Sequence, residues 1–359
     1  MKNLNKNRGD GDINVIHEVI IIGAGQAGIA MSQKLKKQGI SHLMIDSHSY
    51  IGEQWDSRYD SLILFTPRNY SSLPGLLMEG DPNGYPTKGE MASYLKKYVQ
   101  YFDLPVALNV KVEKLKKEEN IFIMQTSKGE LAAKKVVVAT GAFQSAFIPP
   151  IIHKDSEGIE HIHSSKYTNP KAISSDSVLI VGGGNSGAQI AVELANSKNV
   201  YLATSHKMNF LPLRVLGESI FKWLDKCNLL YAGLDTKRGE LFKKRNDPIF
   251  GYELKRMIRK NKITIKPRVE KVIGKQVFFA DGSKIDTQII IWSTGFKASY
   301  KWINIEGALS EVGKPNHNRG ISPIENLYFI GLPWQYHRGS ALVCGVGRDA
   351  EYLLNSIIS

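Results

Sequence analysis

The chain has 359 residues, enough for two domains with proper cores at ~150 residues per domain. Hydrophobic residues make up 42% and charged residues 23%, which excludes wholesale disorder and a fibrous repeat. The formal net charge of +13 asks for an anionic partner: nucleic acid, a membrane surface or a phosphate-bearing cofactor.

Residues 1–15, with Lys2, Lys6 and Arg8 ahead of Gly9-Asp10-Gly11-Asp12, read as a solvated, disordered tail. The first apolar stretch after them is cut by Gly23, unlike a secretory signal. Glu18–Ile22 then predicts a strand, Gly23-Ala24-Gly25-Gln26-Ala27-Gly28 a tight turn, the amphipathic stretch to Gly39 a helix, and His42–Asp46 a second strand. Tyr94–Tyr101 has the spacing of an amphipathic helix whose aromatic face is core rather than a base-stacking surface. Asn109–Leu115, Ile121–Thr126 and Lys135–Ala139 are further strand candidates, the last running into Ala139-Thr140-Gly141. Pro149-Pro150 breaks regular structure and marks a crossing between halves.

His161 and His163 fall on one strand face, but no carboxylate or cysteine has ligand spacing, so they read as structural and no metal site is expected. Ser177–Val181, Gly182-Gly183-Gly184-Asn185-Ser186-Gly187, a helix to about Lys198 and Asn199–Ala203 repeat the first layout 159 residues later. Residues 206–260, including Lys243-Lys244-Arg245 and Lys255-Arg256, lack a period and read as an insertion or mobile segment. Lys262–Lys266, Val269–Ile273, Gln276–Ala280 and Gln288–Trp292 are strand candidates, and the last meets Ser293-Thr294-Gly295. Each half therefore has a βαβ start, a meander and an apolar strand ending in a similar tripeptide.

Strongly apolar runs such as Val136–Ala139 are about four residues long, against the ~18–20 of a spanning helix, so no transmembrane segment is expected. Cys227 and Cys344 lie 117 positions apart, which excludes a CxxC pair, a zinc ribbon and a disulfide framework and points to a reducing, cytoplasmic compartment.

A dinucleotide turn needs its glycines in order: one for the tight turn, one for close approach of backbone to pyrophosphate, one for helix–strand packing. The pyrophosphate then rests at a helix N-terminus, where free N–H groups and the dipole favour negative charge. Both glycine turns sit between an apolar strand and a helix. Asp46, 18 residues past Gly28, has the spacing of an acid on a ribose hydroxyl. The second copy ends in Thr204-Ser205-His206-Lys207 with no acid, and Lys207 is either a point charge for a 2′-phosphate or simply solvated. Its coenzyme is NADPH, NADH or both.

These residues resemble the two-dinucleotide-binding flavoproteins, and within them the flavin-containing monooxygenases, particularly the small bacterial members and the plant YUCCA enzymes. The matching segments are residues 23–28, 52–55, 58–62, 66–68, 73–75, 139–141, 163–167, 182–187, 293–296 and 326–332. The resemblance implies an α/β fold of two Rossmann-like dinucleotide-binding domains: an FAD domain from residues 16–149 and 298–359, with an NAD(P)H domain inserted at 150–297. It implies that Gly23, Gly25, Gln26, Ala27 and Gly28 hold the FAD pyrophosphate and Asp46, beside Ser47, the ribose. Gln54 and Trp55 would lie along the flavin, Val112 would meet adenine, Thr140 and Gly141 would close the site, and Gly331 would match the C-terminal FAD strand. Gly182, Gly184, Asn185, Ser186 and Gly187 would hold the NAD(P)H pyrophosphate, with Ser205 and Lys207 near its ribose.

Three departures stand out. The fingerprint FxGxxxHxxxY keeps only His163 and Tyr167, with Glu157 and Ile159 at its Phe and Gly positions. Ser205 stands where many members carry an arginine for the 2′-phosphate, and Phe65 where some have an asparagine that helps stabilise the oxygenated flavin. His337 reads either as lining the substrate side of the flavin or as a surface-loop residue, and Cys344 as a small buried hydrophobe.

The implied function is an FAD-dependent, NAD(P)H-consuming monooxygenase that acts with O₂, through a C4a-hydroperoxyflavin, on a small soft nucleophile or a ketone. No protein nucleophile is then needed, since the cofactor carries the chemistry. One alternative is an NAD(P)H oxidase or reductase without oxygen insertion, favoured by Phe65. Another is a non-enzymatic nucleotide-sensing accessory of a cation transporter. A small-molecule substrate is expected, with no nucleic acid, and the oligomeric expectation is a homodimer.

Overall fold

The computed structural model describes residues 15–154 and 157–359. The expected tail at 1–15 therefore lies, Val15 apart, outside the described residues. In chain order the first elements are β1 (Ile16–Ile22), α1 (Gln26–Lys37), β2 (His42–Ile45), α2 (Glu53–Asp56), α3 (Lys88–Tyr101), β3 (Val106–Ala107), β4 (Val112–Glu118), β5 (Ile121–Thr126) and β6 (Gly129–Val138). Then come β7 (Ser145–Ala146), β8 (Glu160–His163), β9 (Ser177–Val181), α4 (Asn185–Leu194) and β10 (Asn199–Ala203). Residues 206–260 carry β11 (Phe210–Leu211), β12 (Arg214–Val215), β13 (Glu218–Ser219), α5 (Ile220–Lys226), α6 (Lys237–Lys243), β14 (Ile249–Phe250) and α7 (Glu253–Arg259). The remainder is β15 (Ile263–Lys266), β16 (Val269–Ile273), β17 (Gln276–Phe279), β18 (Lys284–Asp286), β19 (Ile289–Trp292), β20 (Phe296–Lys297), β21 (Leu327–Phe329) and α8 (Val343–Ile358).

Contacts divide the chain into two units. The first comprises the chain through Ile51, Leu95–Gly141 and Ser299–Ser359; the second comprises Gly52–Tyr94 and Ala142–Ala298.

The first unit is built on a sheet ordered β3-β2-β1-β6-β5-β4. Strand β6 is long because it serves two partners along one edge: Gly129–Ala133 pairs antiparallel with β5, and Val136–Val138 pairs parallel with β21. Its other edge pairs parallel with β1, so Val19–Ile22 and Val136–Val138 are buried on both faces and read as unbroken apolar runs. Helix α1 buries Ala27, Ile29, Ala30, Met31 and Leu35, while Lys34, Lys36 and Lys37 complement the dipole of its last turn. Gly39, at φ +69°, ends it, with the Ile40 N–H bonding Leu35 O. Leu35 is fully buried, so Leu35→Ala costs about 2–5 kcal/mol. The strand expected from Asn109 starts instead at Val112, because Asn109 adopts a left-handed φ of +58° and turns the chain.

The second unit has an all-parallel sheet, β15-β10-β9-β19-β8, and a β16-β17-β18 meander. Its βαβ unit, β9-α4-β10, repeats β1-α1-β2 of the first unit. The parallel βαβ pairs agree with the expected α/β class of two Rossmann-like folds.

Residues 206–260, expected as an insertion or mobile segment because they lack a period, carry short packed elements. Phe221, Leu230, Ile249 and Leu254 are buried, and the Ser219 and Thr236 hydroxyls cap α5 and α6 by accepting from Phe221 N and Gly239 N. Elements of two to seven residues are too short to print a period in the sequence. The aromatic face of α3 also needs one correction: Tyr94 and Tyr98 are buried, but Tyr101 is 64% exposed.

Candidate dinucleotide sites

The two glycine turns are built alike. Gly23 and Gly182 adopt φ of +111° and +117°, a region glycine reaches freely. A β-carbon on Gly23 would stand 2.7 Å from Ala139 O, and one on Gly182 would stand 2.3 Å from Ser293 O. The repeated tripeptides noticed in the sequence are thus the strand ends on which the first glycines lie. The third glycines are as tight: β-carbons on Gly28 and Gly187 would come within 1.9 and 2.0 Å of Gly23 O and Gly182 O. The middle glycines differ, since a β-carbon on Gly25 or Gly184 would meet nothing within 4 Å. The backbone is therefore open directly before α1 and α4, whose caps are Gly25 and Gly184, as close approach of a pyrophosphate would require. The residues present fit FAD-type and NAD(P)-type dinucleotides.

Around the first turn the structure brings together several expected residues. The Ala24 N–H donates to Asp46 Oδ2 at 2.6 Å, while the His48 N–H and Nδ1 lie 2.8 and 2.7 Å from Asp46 Oδ1. Burial pushes the Asp46 carboxyl up, but the His48 ring and the two backbone N–H groups outweigh it and hold it below the ordinary carboxylate value. Ala24 and His48 are partners of Asp46 that the sequence reading missed; an Asp-x-His at the strand end was the available signal. Gly331, at φ +80°, packs so closely that its β-carbon would sit 2.7 Å from the Ala27 β-carbon, which brings the C-terminal strand end against α1. The Tyr300 hydroxyl donates to Gly141 O at 3.4 Å, beside half-buried Thr140. Gln26 opens α1, and Ser47 is exposed after β2. Val112 opens β4 at the sheet edge, opposite Thr126 of β5.

Gln54 and Trp55 lie on α2 in the second unit, where Gln54 Nε2 donates to Phe143 O at 3.5 Å. Arg58 stands over the Phe143 and Phe296 rings at 5.2 and 5.1 Å. Phe65 stacks on Phe250 at 4.5 Å and on Phe221 at 6.0 Å, so it is part of an aromatic cluster.

At the second turn, Asn185 Nδ2 donates to Pro248 O at 3.0 Å, and its Oδ1 accepts from the Phe250 N–H at 2.9 Å. The Asn185 side chain therefore clamps β14. Ser186 lies within hydrogen-bond reach of the buried Tyr59 hydroxyl, which also donates to Gln189 Oε1 at 3.0 Å. Burial raises the Tyr59 hydroxyl well above its usual value, so it stays a neutral donor. A β-carbon on Gly183 would stand 2.8 Å from Thr204 Oγ1, placing the end of β10 beside the turn. Ser205 and Lys207 follow there, both exposed, with Ser205 Oγ 3.3 Å from His206 Nδ1. Tyr59, Tyr300 and Phe250 carry no sequence signal for these contacts.

The remaining candidates bond within the fold. His163 bridges Ser165 Oγ and Gly295 O, both at 2.9 Å, and Tyr167 donates to Glu193 Oε2 at 2.8 Å. His161 accepts from Trp292 Nε1 at 3.1 Å. Among the described residues no three His, Cys, Asp or Glu gather in a metal-holding group. His337 is not a surface-loop residue: only 2% exposed, it lies 3.9 Å from buried Asp349, and burial with Arg348 and Arg319 lowers it to about 4. Cys344 is half-buried at the start of α8.

Residues 20–210 match the pyridine nucleotide-disulphide oxidoreductase family. A CzcO-like oxidoreductase from Geobacillus kaustophilus is 51% identical over 344 residues, 96% of this chain and 99% of that one. YUCCA1 of Arabidopsis thaliana is 28% identical over 380 residues, 96% of this chain and 90% of its own. A flavin-containing monooxygenase from Stenotrophomonas maltophilia superposes with a TM-score of 0.80 at 24% identity, over 95% of this chain and 98% of that one.

Proposed function

The chain belongs to the pyridine nucleotide-disulphide oxidoreductase family, and on that premise we propose that it is an FAD-dependent, NAD(P)H-consuming monooxygenase acting on a small soft nucleophile or a ketone. It is an oxidoreductase of flavin-monooxygenase-like fold. The carrying observation is the pair of turns whose outer glycines are packed shut and whose middle glycines, Gly25 and Gly184, are open. Bound flavin supplies hydride acceptance from the coenzyme and activation of O₂. The chain's own residues bind and orient: Asp46, kept ionised by His48 and Ala24, takes the ribose of FAD, and the N-termini of α1 and α4 take the two pyrophosphates. Ser205 and Lys207, which include no acid to repel a 2′-phosphate, support use of NADPH as well as NADH.

The disulphide chemistry in the family's description does not suit this chain, because Cys227 and Cys344 are 117 positions apart and form no CxxC pair. A second reading, NAD(P)H oxidase without oxygen insertion, is favoured by Phe65, whose ring is committed to the stack with Phe221 and Phe250 and offers no hydrogen bond.

The test is stoichiometry. FAD-loaded protein is given NADPH or NADH, O₂ and a thioether, and coenzyme consumed is compared with sulfoxide and H₂O₂ formed. About one sulfoxide per NAD(P)H supports the monooxygenase; H₂O₂ alone supports the oxidase. Binding of both dinucleotides without NAD(P)H oxidation would sink both and leave a nucleotide sensor.

A further inference from the structure

The excess positive charge is not spread over the molecule. His206–Lys262 contains 14 Lys or Arg against 6 Asp or Glu, a net of +8, while the other 302 residues share the remaining +5 of the total +13. The glycine turns lie outside this segment and, Lys207 apart, leave its charge unexplained. One or two cations at a helix end complement the dipole, but Lys243, Lys244 and Arg245 at the end of α6 and Arg259, Lys260 and Lys262 at and just past the end of α7 exceed that and are all exposed.

The same segment exposes apolar side chains. Leu216 tips the β12–β13 hairpin at 87% exposure, with φ +51°, a left-handed backbone that costs a leucine about 1 kcal/mol or more. Asn-Gly is the usual pair for such a turn, yet here leucine precedes Gly217, at φ +78°, and points an apolar group outward. Leu241 on α6 is 62% exposed. These features belong to one packed body. Trp223 Nε1 on α5 donates to Val215 O at 3.0 Å, Arg238 on α6 donates to Cys227 O at 3.4 Å, and Arg214 and Arg256 line one cavity beside Tyr252.

We propose that residues 206–262 dock the protein on an anionic lipid surface, with Leu216 and Leu241 entering the headgroup boundary and exposed Lys and Arg of the segment pairing lipid phosphates. A lipid interface rewards both the cations and the exposed leucines, whereas a nucleic-acid backbone rewards the cations alone. Docking of this kind needs no spanning helix, and among the described residues no helix is long and apolar enough to cross a membrane.

The test uses the full-length, FAD-loaded protein sedimented with vesicles of phosphatidylcholine, alone or mixed with phosphatidylglycerol. Binding is expected only to the anionic vesicles. The triple variant Lys243→Glu, Lys244→Glu, Arg245→Glu should weaken it by roughly fivefold or more per cation. Leu216→Ser should weaken it further, and this loss should persist at high salt, where charge is screened. A control with Lys96→Glu, Lys301→Glu and Lys314→Glu, three exposed lysines of the first unit, should bind as the parent does. All variants should keep the parent's circular dichroism and NAD(P)H oxidation. Equal loss in the control, equal binding to neutral vesicles, or no vesicle binding would overturn the proposal. So would binding to duplex DNA that the 206–262 substitutions abolish while vesicles are ignored.

Discussion

Phe65 lies nearly flat against Phe250, with ring centroids 4.5 Å apart and planes 17° from parallel. The contact joins the loop after α2 to the segment 206–260, and Phe221 extends it. Because Phe65 is half-buried, Phe65→Asn should cost about 2 kcal/mol, below the 3–5 kcal/mol of a fully buried phenylalanine. Phe65→Tyr should be nearly neutral. Chemical denaturation of both variants decides, and an unaltered midpoint for Phe65→Asn would show that the stack carries no stability.

Asn185 reaches the same segment through its amide. Replacing it with leucine leaves Phe250 N–H and Pro248 C=O without these partners, at roughly 1–3 kcal/mol for each group left dry. Limited proteolysis within 206–260 should therefore accelerate in Asn185→Leu. Asn185→Asp restores only the Phe250 bond and should fall between the two. Equal cleavage rates in all three proteins would contradict the clamp.

The glycines separate folding from binding. Gly28→Ala places a methyl 1.9 Å from Gly23 O and should destabilise the apoprotein by roughly 1–3 kcal/mol. Gly25→Ala meets no protein atom within 4 Å, so the apoprotein should melt like the parent while FAD affinity falls roughly 10- to 100-fold. Melting with and without FAD, together with flavin titration, gives the answer; retained FAD affinity in Gly25→Ala would place the pyrophosphate elsewhere.

Asp349 and His337 give opposite pH slopes. Burial raises the Asp349 carboxyl to about 6, against the Ser340 hydroxyl and Arg319, so its folded value lies above the ordinary 3.8. Its contribution is full below 3.8 and is lost as pH rises through about 6, by up to roughly 3 kcal/mol. His337, lowered from 6.5 to about 4, behaves the other way: its contribution is full above 6.5 and is lost as pH falls toward 4. Asp349→Asn cannot ionise, so its stability relative to the parent should climb between pH 4 and 6 and then level off. Urea titrations across that range provide the check, and a pH-independent difference would mean that Asp349 does not titrate there.

The sequence by itself determined the two glycine turns, the strand–helix–strand units around them and Asp46 at the end of β2. Each is a local matter: a positive φ, an absent β-carbon or a fixed spacing is written in consecutive residues. The paired tripeptides at 139–141 and 293–295 were visible too, although their purpose, to receive Gly23 and Gly182, needed the tertiary structure. Only that structure decided that residues 206–260 fold, that Asn185 ties itself to Phe250 across 65 positions, that Asp46 is held by Ala24 and His48, and that His337 is buried beside Asp349. Short elements leave no hydrophobic period, and a hydrogen bond between distant side chains depends on where packing brings them. The +13 charge, legible from the first count, gained a place only when most of it fell on one folded segment.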